Sequence, residues 1–121
     1  MTRICFQFRV RVESLEVYLE RHRELWPEML AELTAAGIGN YSIFHAGDGQ
    51  MIGYYETADV AKTDAYMSRS EIAARWDADM QPMFADLPDS PGNHVPNPIE
   101  VFNLEDQLLE STEDSIEPMS A

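Results

Sequence analysis

Tyr18, His22 and Trp26 stand four residues apart within residues 18–28, Tyr-Leu-Glu-Arg-His-Arg-Glu-Leu-Trp-Pro-Glu. On a helix that spacing puts all three side chains on one face. The face continues apolar through Met29, Leu30 and Leu33. Histidine is the side chain whose ordinary pKa lies nearest neutrality, so its surroundings decide whether it holds a proton. A histidine one turn from a tyrosine and one turn from a tryptophan is the strongest candidate for proton-transfer chemistry in this chain. The same pattern suits a core histidine with satisfied nitrogens, and spacing alone leaves both readings open. His45 and His94 are too scattered to join His22 in a metal-ligand set. Glu28 and Glu56 are candidate second carboxylates, with surface or capping roles as the plainer reading.

The elements around this stretch follow from its neighbours. Arg3 to Val12 alternates, with Ile4, Phe6, Phe8, Val10 and Val12 on one face and Arg3, Cys5, Gln7, Arg9 and Arg11 on the other, which predicts a half-buried strand. The arginines are either solvated or paired with carboxylates across a subunit interface, the second being favoured. Ser14 is placed to cap a helix carrying Leu15, Tyr18, His22, Leu25, Trp26, Met29 and Leu33. Pro27 must kink that helix or begin a second one. Gly37 sits where a helix-ending glycine belongs. Gly39–His45 reads as a strand, Ala46–Gly49 as a hairpin turn and Gln50–Thr57 as the returning strand. Asp59–Met67 reads as a short helix, and Ser68-Arg69-Ser70-Glu71 as a capping box for a helix carrying Ile72, Trp76, Met80 and Met83. The proline-rich span 87–98 is a loop, and Ile99–Leu104 a final strand.

Composition sets the outer bounds. The chain has 121 residues, 45% of them hydrophobic, enough for one domain with a core. Eight basic residues stand against 22 acidic ones, a formal net charge of −14. Such a surface repels phosphate backbones and anionic lipid, so neither nucleic acid nor membrane is an expected partner. One cysteine, Cys5, allows no internal disulfide and fits a cytoplasmic location. No signal peptide or membrane span is evident. The domain is expected over residues 1–104. Residues 105–121 carry six acidic and no basic side chains and read as a disordered tail.

Strand, helix, strand, strand, helices, strand is the βαββαβ order of a ferredoxin-like α+β domain, an antiparallel sheet with helices on one face. Its other face needs solvent or a partner, and a homodimer is expected.

The residues resemble the L-rhamnose mutarotases. The likeness rests on Tyr18, His22, Leu-Trp-Pro-Glu at 25–28, Gly37, Asn40-Tyr41-Ser42-Ile43, Arg75-Trp76 and Glu100-Val101-Phe102, and it covers most of the chain, roughly Arg3 to Leu104. It implies a dimeric α/β-barrel type of ferredoxin-like fold and interconversion of the α- and β-anomers of a sugar such as L-rhamnose. It further implies that His22 is the proton donor and that Tyr18, Tyr41 and Trp76 contact the sugar. One position departs from the family pattern. A second tryptophan is usual directly after the first, and here that position is Asp77, which puts sugar specificity in question.

The residue types suit the reaction. A pyranose changes anomer by opening to the aldehyde and closing on the other face. Opening takes a proton from the anomeric hydroxyl and delivers one to the ring oxygen, with no need of metal, cofactor or covalent intermediate. Positioned acid–base groups contribute about 10²–10⁴-fold to such steps. A phenol can hold or relay a proton, and an indole offers a flat apolar surface to a sugar's C–H face. The competing expectations are another cofactor-free enzyme on the same fold, such as a monooxygenase or lactone isomerase, and a ligand-binding module without catalysis.

Overall fold

The computed structural model describes residues 1–85 and 97–114, with the side chains of 111–114 left aside. Three strands, β1 (Thr2–Arg9), β2 (Gly39–Gly47) and β3 (Gln50–Thr57), form an antiparallel sheet in the order β1-β3-β2. Between β1 and β2 lie α1 (Leu15–Arg23) and α2 (Pro27–Ala35); after β3 come α3 (Val60–Arg69) and α4 (Glu71–Met80). This is the ferredoxin-like arrangement that the βαββαβ pattern anticipates, with no last strand among the described residues.

Pro27 settles the shape of the helical layer. Its missing N–H would leave a gap inside a continuous helix, but costs nothing at the first helical position, where that donor has no partner in any case. The chain accordingly stops at Arg23 and restarts at Pro27, the second of the two outcomes expected for this proline. Helix α2 then ends on Gly37, whose φ of +88° carries the chain out of the helix. Gly37 N donates to the Thr34 carbonyl at 3.0 Å and Ile38 N to the Leu33 carbonyl at 3.1 Å. That pair of bonds satisfies the last helical carbonyls in the Schellman pattern.

The β2–β3 hairpin turns on Asp48 and Gly49, both left-handed, with φ of +54° and +81°. Positive φ at both central positions matches the twist of the flanking strands. A side chain at Gly49 would meet the Val10 carbonyl oxygen 2.0 Å away, so this position excludes any larger residue. Gly53 in β3 lies opposite Phe6 in β1, and the Phe6 ring covers the space its side chain would take.

The core lies between sheet and helices, built from Val10, Tyr18, Met29, Met51, Ala73, Trp76 and Met80. Beside it a buried polar seam ties α2, β3 and α3. The Thr57 and Thr63 hydroxyls meet at 2.7 Å, and Thr63 donates to the Ala36 carbonyl at 2.8 Å. Pairing these hydroxyls removes the penalty of burying them.

Several local expectations change. Val12 leaves the strand for a short 3-10 turn over Val12–Ser14 and is 65% exposed. Ser14 holds the cap position of α1 without a side-chain bond. The box expected over Ser68–Glu71 is replaced by a single cap two residues later: Ser70 Oγ accepts from Ala73 N at 3.0 Å, while Ser68 belongs to α3. Glu32 of α2 takes the Ser70 proton, the partner a capping-box glutamate would otherwise supply. Arg3 has carboxylate partners within its own chain, Glu100 and Asp106.

The largest differences lie after residue 97. Ile99–Leu104, expected as a strand, makes no ladder; Ile99 and Val101 are 85% and 93% exposed. A strand needs a neighbour to accept its backbone bonds, and among the described residues none lies alongside. Where a disordered tail is expected, a helix, α5, spans Leu104–Asp114. Asn103 Oδ1 accepts from Asp106 N at 3.0 Å, and Glu105 and Asp106 suit the positive end of the helix. The sequence span 86–96, including His94 and most of the expected proline loop, lies outside the described residues, as does 115–121.

Candidate functional site

His22 lies on the last turn of α1, half-buried, with its ring centroid 4.2 Å from that of Tyr18 and 5.3 Å from that of Trp76. The helical spacing of four explains the first contact, while the second requires α4 to pack beside α1. Trp26, the third member of the sequence stripe, stands edge-on to Trp76 at 5.1 Å and serves as packing.

The protonation of His22 follows from its partner. Its Nδ1 lies 2.9 Å from the Tyr18 backbone carbonyl. A carbonyl oxygen can only accept, so Nδ1 carries the hydrogen and, in the neutral ring, Nε2 is left as an acceptor. Burial lowers the histidine pKa below its ordinary value, partly opposed by that same backbone bond. Desolvation disfavours the charged ring, so His22 is neutral at pH 7 and presents a basic nitrogen.

Two adjoining cavities open between the sheet and the helices. The larger, of about 590 Å³, is walled by His22, Trp76 and Asp77 from the helices and by Phe6, Tyr41, Ile43 and Tyr55 from the sheet. The smaller, of about 220 Å³, shares His22, Tyr41, Trp76 and Asp77 and reaches Tyr18 and Phe84. All five site residues expected from the sequence therefore line the smaller cavity, and four of them the larger one as well. Their exposures differ. Tyr18 is 3% exposed and forms the floor beneath His22, whereas Tyr41 is 38% exposed at the opposite, sheet wall. Burial pushes the Tyr41 phenol up to about 12, helped by nearby Tyr55 and Asp77, so it stays protonated and acts as a donor. Desolvation raises the Tyr18 phenol too.

Phe6, Tyr55, Thr63 and Asp64 also line the larger cavity, and sequence reasoning did not single them out. Phe6 and Tyr55 carried a usable signal. Alternation puts Phe6 on the apolar face of β1, and the β1–β3 register sets Ile4 opposite Tyr55, two residues along the same face. Asp64 carried none, since the periodicity of α3 is weak. Glu56 accepts from Tyr54 and Asn40, and is not among the cavity-lining residues. Among the described residues no group of three or more His, Cys, Asp or Glu side chains is placed to hold a metal ion, and no helix is long and apolar enough to cross a membrane.

This fold and sequence have counterparts among known proteins. The structure is similar to the crystal structure of an L-rhamnose mutarotase from Formosa agariphila, with a TM-score of 0.69 and 25% identity over 86% of this chain and 99% of that one. It shares its fold, at a TM-score of 0.54 and 20% identity over 69% of this chain and 86% of that one, with an antibiotic biosynthesis monooxygenase. In sequence, the L-rhamnose mutarotase of Oceanobacillus iheyensis is 39% identical over 93 residues, covering 75% of this chain and 88% of that relative. The family description for L-rhamnose mutarotase matches residues 3–104, a span holding His22, both cavity walls and the segment through Phe102, and the chain therefore belongs to the L-rhamnose mutarotase family.

Proposed function

We propose that this chain is an isomerase interconverting the α- and β-anomers of a 6-deoxy aldose such as L-rhamnose, with His22 as its catalytic residue. The observation that carries the reading is the 2.9 Å contact from His22 Nδ1 to the Tyr18 carbonyl. It selects the tautomer whose Nε2 can receive a proton, in a ring that burial keeps neutral.

The steps follow from that tautomer. His22 Nε2 takes the proton of the anomeric hydroxyl. The C1–O5 bond breaks with its electrons on the ring oxygen, which receives a proton from a donor; Tyr41, a protonated phenol on the facing wall, is suited to that place. The aldehyde turns about the C1–C2 bond. Ring closure reverses each transfer, and His22 returns its proton. His22 is thus a base in opening and an acid in closing, so the donor role implied by family resemblance describes the closing half. Trp76 supplies an apolar surface for the sugar, Tyr18 fixes the histidine from below and borders the smaller cavity, and Asp77 sets specificity.

The same reading extends to assembly and place. We infer a homodimer: β1 is an edge strand of the described sheet, and Ile99, Val101 and Phe102, in the segment tied to it through Arg3 and Glu100, stand 85%, 93% and 60% exposed without a covering surface among the described residues. A second copy of this chain would cover them. A single unpaired thiol, Cys5, suits the reducing cytoplasm. Residues 1–104 would form the catalytic domain, with α5 and the rest of the chain appended to it.

NMR saturation transfer between the anomers of L-rhamnose tests the activity, with L-fucose run in parallel. Faster exchange with protein present is expected. Exchange unchanged by protein for every sugar tried would end the mutarotase reading.

A further inference from the structure

Asp77 borders both cavities but takes no proton in the reaction above. It follows Trp76 on α4 and lines both cavities together with His22 and Tyr41. Three other carboxylates are engaged by side chains. Asp79, two residues on, pairs with Arg21; Glu32 accepts from Tyr66 and Ser70; Glu56 accepts from Tyr54 and Asn40. Among the described residues the Asp77 carboxylate has no hydrogen bond or ion pair, while its backbone carbonyl accepts from Gln81 N. Its surroundings nevertheless remove part of its water, which raises its carboxyl above the ordinary value. A partly desolvated acceptor facing an open hollow is a group waiting for donors.

We infer that Asp77 sorts sugars: its carboxylate accepts hydrogen bonds from a neighbouring pair of hydroxyls on an uncharged aldose. The inference rests on the proposed sugar chemistry of this cavity and names what that chemistry selects. Ionised carboxylate oxygens only accept, and two adjacent sugar hydroxyls present two donors to them. The Tyr41 and Tyr55 phenols in the lining combine donor and acceptor capacity, so they can satisfy hydroxyls in either sense. Asp77 cannot. A sugar lacking the contacted hydroxyl would cover the carboxylate and return nothing, and sites built around such a bond discriminate far more sharply than apolar walls do. Charge is sorted as well. The described lining of the two cavities holds two carboxylates, Asp64 and Asp77, and no lysine or arginine. A phosphorylated or uronic sugar would meet like charge with no cation to offset it.

Binding, rather than turnover, isolates this role. Dissociation constants are measured by ligand-observed NMR for L-rhamnose and its 2-, 3- and 4-monodeoxy analogues, on wild type, Asp77→Leu and Asp77→Asn. Anomer exchange is recorded on the same samples, and a proton–nitrogen spectrum confirms that each variant is folded. Wild type is expected to bind at least one analogue about tenfold or more weakly than the parent sugar, the scale of a lost charge-assisted bond. In Asp77→Leu the parent should lose that advantage, bringing the ratio near one. Asp77→Asn should fall between, since the amide keeps one acceptor. Folded variants that weaken every sugar by the same factor, or none, overturn the assignment. Wild type that binds sugars without speeding anomer exchange would sink the mutarotase reading while the binding ratios still judge Asp77; failure to bind any sugar would sink both.

Discussion

The cavity around His22 and the segment from Ile99 to Asp114 are built on opposite terms. In the cavity, side chains from α1, α4 and the sheet close on one another within a single chain. Tyr18, Trp76 and Met80 are nearly sealed from solvent. The C-terminal segment is tied down chiefly by ions, through Arg3 to Glu100 and Asp106, while its apolar residues face outward. Arg3 is held strongly protonated by those two carboxylates, but the ion pairs are partly exposed and screened. Burying apolar area stabilises by about 25 cal/mol per Å², which the first region gains from its own chain and the second does not. One region packs its apolar side chains within the single chain; the other leaves Ile99, Val101 and Phe102 exposed in an acidic setting.

The contrast is open to attack at both ends. The largest effect should come from His22→Ala. Anomer exchange is expected to fall about 10²–10⁴-fold, read by saturation transfer, while the circular dichroism spectrum stays that of the wild type. A folded variant of undiminished rate would remove His22 from the chemistry. Next in size is the core beneath it. Met51 is 1% exposed, and Met51→Ala should cost about 2–5 kcal/mol in denaturant unfolding. A loss below about 1 kcal/mol would show that the core repacks easily.

Acidity probes the same region. The His22 pKa is lowered on folding, so between that value and the ordinary 6.5 the unfolded chain binds more protons than the folded one. Stability should therefore fall as pH drops below about 6.5, and exchange activity should fall with it as Nε2 is protonated. Melting curves of wild type and His22→Gln, compared from neutral pH downward, should converge as that contribution is lost. A gap that widens on acidification would reverse the assigned shift.

The smallest effects on the monomer belong to the C-terminal segment. Val101→Ser and Phe102→Ser should leave the unfolding midpoint nearly unchanged when the chain is dilute, yet lower the mass seen by light scattering at high concentration. Wild type that scatters as a monomer throughout would remove the second copy from this surface. Arg3→Ala should move the midpoint little, and less still at high salt.

Much of this was legible in the residues because periodicity and backbone chemistry are local. Pro27 has no N–H and Gly37 tolerates positive φ wherever they stand, so the α1–α2 break and the end of α2 follow from their identities. The hairpin at Asp48-Gly49 is of the same kind. The strand over Ile99–Leu104 failed for the complementary reason: alternation states that a segment is fit to pair, not that a partner lies beside it. The cap misread at Ser68 turned on Glu32, 38 residues before Ser70, which no local motif contains.

The chain's sequence by itself determined that Tyr18 and His22 share a helical face, that Pro27 divides the helical layer, and that residues 3–104 carry the signature of one family. Only the tertiary structure decided what His22 is. Contact with Trp76 needs α4 against α1, and the neutral ring needs both helices to exclude water. Tyr41 and Asp77 come to the same hollow from a strand and a helix 36 positions apart in the chain. Spacing along a chain sets which face a side chain occupies; the dielectric, the tautomer and the facing wall are properties of what packs against that face.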